Sequence, residues 1–213
     1  MSYALPSPII HTIEYIRKIT ESLSYPGRCY SCKLEWNHDR ELLCNKCWNE
    51  LQKAPPRLAN KYVNMKVPVT IIYSYTSLMR NLIHLMKFLG RKDIAESLGY
   101  YAGEIFVRNK IIDKFDAIVP VPLHPTRVRE RGYDQNLTIA TAFSKRVRIE
   151  VDSKLIVRLK NTAHQSRLSD IERSTNLKNA FGSNQGHQFG KMKSVLLIDD
   201  VIHSGATFSG CID

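Results

Sequence analysis

Two carboxylates stand side by side at Asp199 and Asp200, between an apolar run and a glycine turn, in Val195-Leu-Leu-Ile-Asp-Asp-Val-Ile-His-Ser-Gly-Ala-Thr207. The apolar residues read as a buried strand that carries both acids to a sheet edge, where ligands meet folds of alternating strands and helices. Gly205 lies where the backbone must approach a ligand closely. A helix beginning about Ala206 would turn backbone N–H groups, with the Ser204 and Thr207 hydroxyls, toward one spot suited to a phosphate dianion. The adjacent carboxylates suit diol hydroxyls or a hydrated Mg²⁺. An acid pair that merely ends a strand, before a serine that caps a helix, is common; all the parts in this order are not.

Cys29-Tyr-Ser-Cys32 and Cys44-Asn-Lys-Cys47 form two C-x₂-C pairs separated by eleven residues. Each pair offers two thiolates from one tight knuckle, and two knuckles complete a tetrahedron for a structural Zn²⁺ with no open position. An iron site of rubredoxin type or redox-active thiols are the alternatives. Cys211 has no partner in this pattern and is expected in a helix, buried.

A third stretch, Asp116 to Asn136, reads as a strand followed by a proline-punctuated, arginine-rich loop. Arg127, Arg129 and Arg131 stand at alternate positions there. Guanidinium forks match phosphate oxygens, so the loop suits a pyrophosphate or a nucleic-acid backbone as well as plain solvation.

These residues need a frame. Val67–Tyr75, Ala117–Val121, Ser153–Leu159 and Ser194–Ile198 read as strands. Leucines at 78, 82, 85 and 89, a second set from Ile94 to Ile105, and Leu137–Val147 have helical spacing. Strands alternating with helices imply an α/β fold, a mostly parallel sheet flanked by helices. Ile9 to Leu23 suggests a short amphipathic helix ahead of the cysteines, and Ala54-Pro-Pro-Arg57 ends a small module. The expected division is a four-cysteine module over 1–60 and the α/β domain over 61–213.

Of 213 residues 43% are hydrophobic and 24% charged, the composition of a globular protein. No apolar run nears the roughly 18–20 residues a membrane span needs, and the N-terminus lacks a secretory pattern. The cytoplasm is the expected compartment, without membrane insertion. The net charge of +11 favours anionic partners. From His124 to Lys178 twelve Lys/Arg face six Asp/Glu, about half of the excess.

The acid pair and glycine turn resemble the phosphoribosyl-pyrophosphate (PRPP) motif of type I phosphoribosyltransferases. That resemblance implies that Asp199 and Asp200 hold the ribose hydroxyls and that His203, Ser204, Gly205, Ala206 and Thr207 hold the 5′-phosphate. His203 stands where the family commonly has Thr or Asp. An imidazole there can serve as acid or base, or be a tolerated loop residue. If the site is catalytic, His203, Asp199 and Asp200 are the candidates.

The middle segment, Pro120-Val-Pro-Leu-His124 through Arg131-Gly-Tyr-Asp-Gln-Asn136, narrows the resemblance to ComF-type competence proteins, with Asp134-Gln135-Asn136 in place of a more usual Asn-Gln. Leu85–Phe88, Arg158–Gln165, Arg173–Asn176, Ala180-Phe181 and the cysteine module fit the same family. The resemblance implies a type I phosphoribosyltransferase fold with a small zinc-ribbon or treble-clef-like module. It places Pro122, Leu123, Arg127 and Arg131 on the pyrophosphate, with Mg²⁺, and Gln165 and Arg167 on a mobile flap over the site. Family members continue beyond the last helix into a further strand, so the domain is expected to be truncated after Asp213. The implied function is assistance to DNA uptake, handling single-stranded DNA beside a helicase and recombination proteins. Tyr30, Trp36 and Trp48 are candidate stacking residues. A phosphoribosyltransferase acting on a nucleobase or amine, and a PRPP-sensing regulator without turnover, are the alternatives.

Overall fold

The computed structural model describes residues 28–35, 42–51, 57–58, 67–110, 115–160, 179–184 and 192–212. Its contacts fall into two compact units, Met1–Glu50 and Leu51–Asp213. The helix expected over Ile9–Leu23 and the residues Trp36, Gln165 and Arg167 lie outside the described residues.

In the first unit an antiparallel bridge joins Arg28 to Glu35 across the first cysteine knuckle. Helix α1 (Asn45–Leu51) begins inside the second cysteine pair. Leu43 and Trp48 are buried there, so Trp48 offers no face to a base, contrary to its candidacy as a stacking residue.

In the second unit β1 (Arg57–Leu58) and β2 (Thr70–Ile71) precede α2 (Ser77–Phe88) and α3 (Lys92–Arg108). Then come β3 (Ala117–Pro120), α4 (Pro125–Arg131), α5 (Gln135–Val147), β4 (Ile156–Arg158), β5 (Phe181–Ser183), β6 (Val195–Ile198) and α6 (Ala206–Ile212). Helix α2 starts where the Thr76 hydroxyl accepts the N–H of Met79 at 3.2 Å, a cap that satisfies a donor the helix itself cannot. It buries Met79, Leu82, Ile83 and Met86, one face at helical spacing. It stops at Leu89, before Gly90 turns left-handed at φ 63°. Helices α3 and α5 pack closely because Gly99 and Gly103 carry no Cβ; one at Gly99 would collide with the carbonyl of Ile139.

Strands β3 and β6 pair in parallel, Ala117 opposite Val195 through Pro120 opposite Ile198. A parallel bridge from Ile118 to Val151 extends this sheet. Ile118, Ala140, Phe106 and Phe143 form the core between this sheet and helices α3 and α5, the two rings edge-on at 5.2 Å. Burying a phenylalanine side chain fully stabilises by about 1.5–3 kcal/mol, so this cluster anchors the strands whose ends carry the acids.

Among the described residues the sheet is less parallel than expected. The β1–β2 and β4–β5 pairs are antiparallel. Strand β5 has three residues with Gly182 in the middle, so no apolar run announced it; Phe181 holds it against Val121 and Ala180. The strand expected over Val67–Tyr75 contracts to Thr70–Ile71, and β1 begins at Arg57, where the small module was expected to end. No helix among the described residues is long and apolar enough to cross a membrane.

Candidate functional site

The parallel pair brings two chain segments to one edge. The N–H of Val121 donates to the carbonyl of Ile198 at 2.8 Å, one residue beyond the β3–β6 ladder. Asp199 and Asp200 follow directly on β6. Helix α5 begins beside them, because the Asp134 carboxylate caps it by accepting the Leu137 N–H at 2.9 Å. This places Gln135 and Asn136 in the first turn, both buried.

Each acid is fixed from several sides. Asn136 Nδ2 donates to Asp199 Oδ1 at 2.8 Å and to the Val121 carbonyl at 2.9 Å. The backbone N–H of Asp200 donates to the same Asp199 oxygen at 2.9 Å. Gln135 Nε2 donates to Asp200 Oδ2 at 3.1 Å, and Lys87 Nζ lies 2.8 Å from that oxygen. Burial, and then the charge of Asp200, push Asp199 up to about 7, against the pull of Lys87 and these hydrogen bonds.

The arginines stand on a helix and not on the expected loop. His124 Nδ1 accepts the Thr126 N–H at 3.2 Å, Pro125 takes the first helical position, and Gly132 closes α4 at φ 78°. On a helix, alternate positions do not share a face. Arg127 and Arg131, four apart, line a cavity with the acids, while Arg129 is exposed and donates to Thr126 Oγ1. Leu123 also lines this cavity and Pro122 does not.

The cavity holds about 460 Å³. Its wall includes both acids, the loop His203–Thr207 and a third arginine, Arg158 of β4, whose guanidinium lies 5.1 Å from the Phe181 ring centre. Gly205 sits at φ 79°, a left-handed conformation that favours glycine, and His203 is exposed at the rim. Helix α6 leans on Val121 and Phe181 through Ala206, Phe208 and Cys211; Cys211 is half-buried. Burial lowers the Arg131 and Arg158 guanidinium groups from their ordinary values, and the acids offset this only in part. Arg131 Nη1 is buried without a hydrogen-bond partner, as are Gln135 Oε1 and Asn136 Oδ1. An orphaned buried donor on a cation calls for an anion, and the two orphaned acceptors call for hydroxyls. A larger cleft of about 1750 Å³ runs along β2 and β6, mostly past apolar side chains such as Ile71, Phe106 and Leu196; those walls do not suit an anion.

Lys87, Gln135, Asn136 and Arg158 were not singled out as site residues from the sequence. All four lie in stretches that carry the family resemblance, yet spacing alone could not show which face the acids. The flap residues Gln165 and Arg167 fall outside the described residues.

The sulfur atoms of Cys29, Cys32, Cys44 and Cys47 all lie within 4.8 Å of one another, with Cys32 and Cys44 at 3.7 Å. Four ligands at Zn–S distances of about 2.3 Å around a tetrahedron would stand roughly 3.8 Å apart, so the donor set fits zinc. Burial works to raise the Cys29 thiol, but N–H groups of Cys32 and Cys44 outweigh it and bring it down to about 6. Burial pushes Cys47 up to about 12. A divalent cation bound by the four sulfurs would displace their remaining protons.

Several bacterial proteins are similar to the chain over most of its length. It is 32% identical over 184 residues to DNA utilization protein YhgH of Escherichia coli K12, covering 84% of this chain and 73% of the relative. The like-named protein of Salmonella typhimurium is 32% identical over 206 residues, 87% of this chain and 88% of the relative. Competence protein F of Haemophilus influenzae is 31% identical over 171 residues, 78% and 75% respectively. No family model and no solved structure matches the chain.

Proposed function

The chain belongs to the family of ComF-type competence proteins, and on that premise we propose that it binds PRPP and handles incoming single-stranded DNA during natural competence. The names of its relatives connect the family with competence and DNA utilisation. One observation carries the PRPP reading: the fixed pair Asp199 and Asp200 shares a cavity with Arg127 and with Arg131, whose buried Nη1 lacks a partner. The carboxylates would accept the ribose 2′- and 3′-hydroxyls, and Gln135 Oε1 and Asn136 Oδ1 stand beside them as further acceptors. The loop His203–Thr207 would take the 5′-phosphate, and Arg127 and Arg131 the pyrophosphate. Mg²⁺ would arrive with the pyrophosphate and neutralise its charge; the hard oxygen donors of Asp199 and Asp200 suit it. Zn²⁺ in the four-cysteine centre would be structural.

Calorimetric titration with PRPP and Mg²⁺ tests this reading, with Asp200→Asn and Arg131→Gln as comparisons. Binding by the wild type that both substitutions weaken about tenfold or more supports it. A wild type that ignores PRPP at millimolar concentration sinks it.

A second reading, phosphoribosyl transfer, draws on Asp199, a carboxyl pushed up to about 7 within the cavity and so able to exchange a proton near neutrality. The C1′–O bond to pyrophosphate would break and a bond to a nitrogen nucleophile form, the nucleophile losing its proton. Exchange of labelled pyrophosphate into PRPP, with a panel of bases and amines, distinguishes turnover from binding alone.

A further inference from the structure

The mouth of the cavity is aromatic as well as basic. Arg80, His84 and Phe88 recur every fourth residue on α2 and form one exposed stripe. Tyr75, just ahead of the helix, is 62% exposed and Phe88 is 54% exposed. The rings of His84 and Phe88 lie 4.8 Å apart and tilted by 42°, in contact with each other. All four residues line the same cavity as Arg127, Arg131 and Asp199. Large exposed aromatics interleaved with cations have a cost in water that a stacking ligand would relieve.

We infer that Tyr75, Arg80, His84 and Phe88 form the surface on which single-stranded DNA lays its bases, at the mouth of the anion cavity. The inference rests on the single-strand part of the function proposed above and names where the strand docks. Three observations favour a polymer over a small heterocycle. The rings are open to solvent, where a free base would need an enclosing slot. The stripe extends over two helical turns, longer than one base. Arg80 lies on the stripe, with Arg127 and Arg131 at the same opening, so a sugar–phosphate backbone has cations beside the stacked bases. Stacking does not read sequence, so the surface accepts any base.

The test measures binding of a fluorescent oligothymidylate by the full chain, alongside an oligomer of equal length and charge without bases. Wild type should prefer the normal strand by tenfold or more. Phe88→Ala and Tyr75→Ala should each weaken it about tenfold, with Phe88→Trp restoring affinity. Arg80→Gln should reduce the slope of log affinity against log salt by about 1. Tyr100→Ala removes an exposed ring outside this cavity and should change nothing. If wild type binds both oligomers equally, stacking is absent and the inference falls, whatever the variants do. Normal-strand preference that persists in both alanine variants also overturns it, and leaves single-strand handling standing. A wild type that binds no single strand removes both, and leaves PRPP binding to its own titration.

Discussion

Lys87 near the end of α2 and Asp200 just after β6 form an ion pair of 2.8 Å that closes one side of the acid pair. The lysine is mostly buried and the carboxylate more so. Removing one partner of such a pair leaves a charge without compensation, which is more costly than the pair is stabilising.

Lys87→Met should therefore destabilise the protein by about 1–3 kcal/mol at pH 8, allowing for the lysine's partial exposure. The loss should shrink by pH 5, where Asp199, its carboxyl pushed up to about 7, is protonated and the lysine faces one negative charge fewer. Urea melts at both pH values measure this, and an equal loss at both would show that packing of the lysine stem dominates.

Asp199 predicts the pH dependence itself. Its folded-state pKa of about 7 stands above the ordinary carboxylate value, so folding favours the protonated form. That contribution is complete below about pH 4 and is lost as pH rises through about 7. Asp199→Asn should flatten this slope and be the more stable protein at pH 8, by roughly 1–3 kcal/mol. On the proposed reading the same substitution should also weaken PRPP binding, since the carboxylate would no longer be there to accept a ribose hydroxyl. Parallel pH profiles for the two proteins would count against this account.

The face of α4 makes a sharp comparison among arginines. Arg131→Gln should weaken PRPP binding by tenfold or more, the loss of a charged hydrogen bond of about 1.5–3 kcal/mol. Arg129→Gln, two residues earlier on the outward side, should stay within twofold. Equal losses would mean that α4 contributes only general positive charge.

The four-cysteine centre should hold one zinc ion per chain by elemental analysis. Cys44→Ser should abolish this and unfold the first unit, because structural zinc contributes on the order of 10 kcal/mol to folding small modules. Zinc retained at full stoichiometry in that variant would refute the ligand set.

Gly99→Ala tests the helix contact behind the sheet. A methyl group there meets the backbone carbonyl of Ile139, which cannot rotate away. The expected cost is about 1–3 kcal/mol, seen as a lower Tm with the cavity residues unchanged.

Much of the frame was legible because it rests on periodicity. The apolar faces of α2, α3 and α5 repeat at helical spacing, and β3 and β6 are unbroken apolar runs; each element falls within a few residues of its expected place. The cysteine centre was legible from spacing alone, since two knuckles suffice to define it. Strand β5 was not, because three residues around Gly182 have neither alternation nor hydrophobic weight. The proline after His124 was read as a loop signal, although proline also suits the first turn of a helix, and so the arginines lost their faces. Asn136 and Lys87 escaped for a deeper reason: what they do depends on a partner far along the chain, and local pattern carries no term for it.

That separation has a temporal meaning. Gln135 and Asp200 are 65 residues apart, and Asn136 and Asp199 are 63 apart. During synthesis, helices α2, α3 and α5 and strand β3 are all made before β6 exists. Until β6 arrives, Asn136 and Gln135 are buried-to-be amides with no carboxylates to meet, and closing so long a loop is a slow entropic step. The cavity thus cannot close before β6 has been made. A ligand present at a hundred times its Kd would stabilise the folded site by about 2.7 kcal/mol, acting as a check that β6 has been threaded into place.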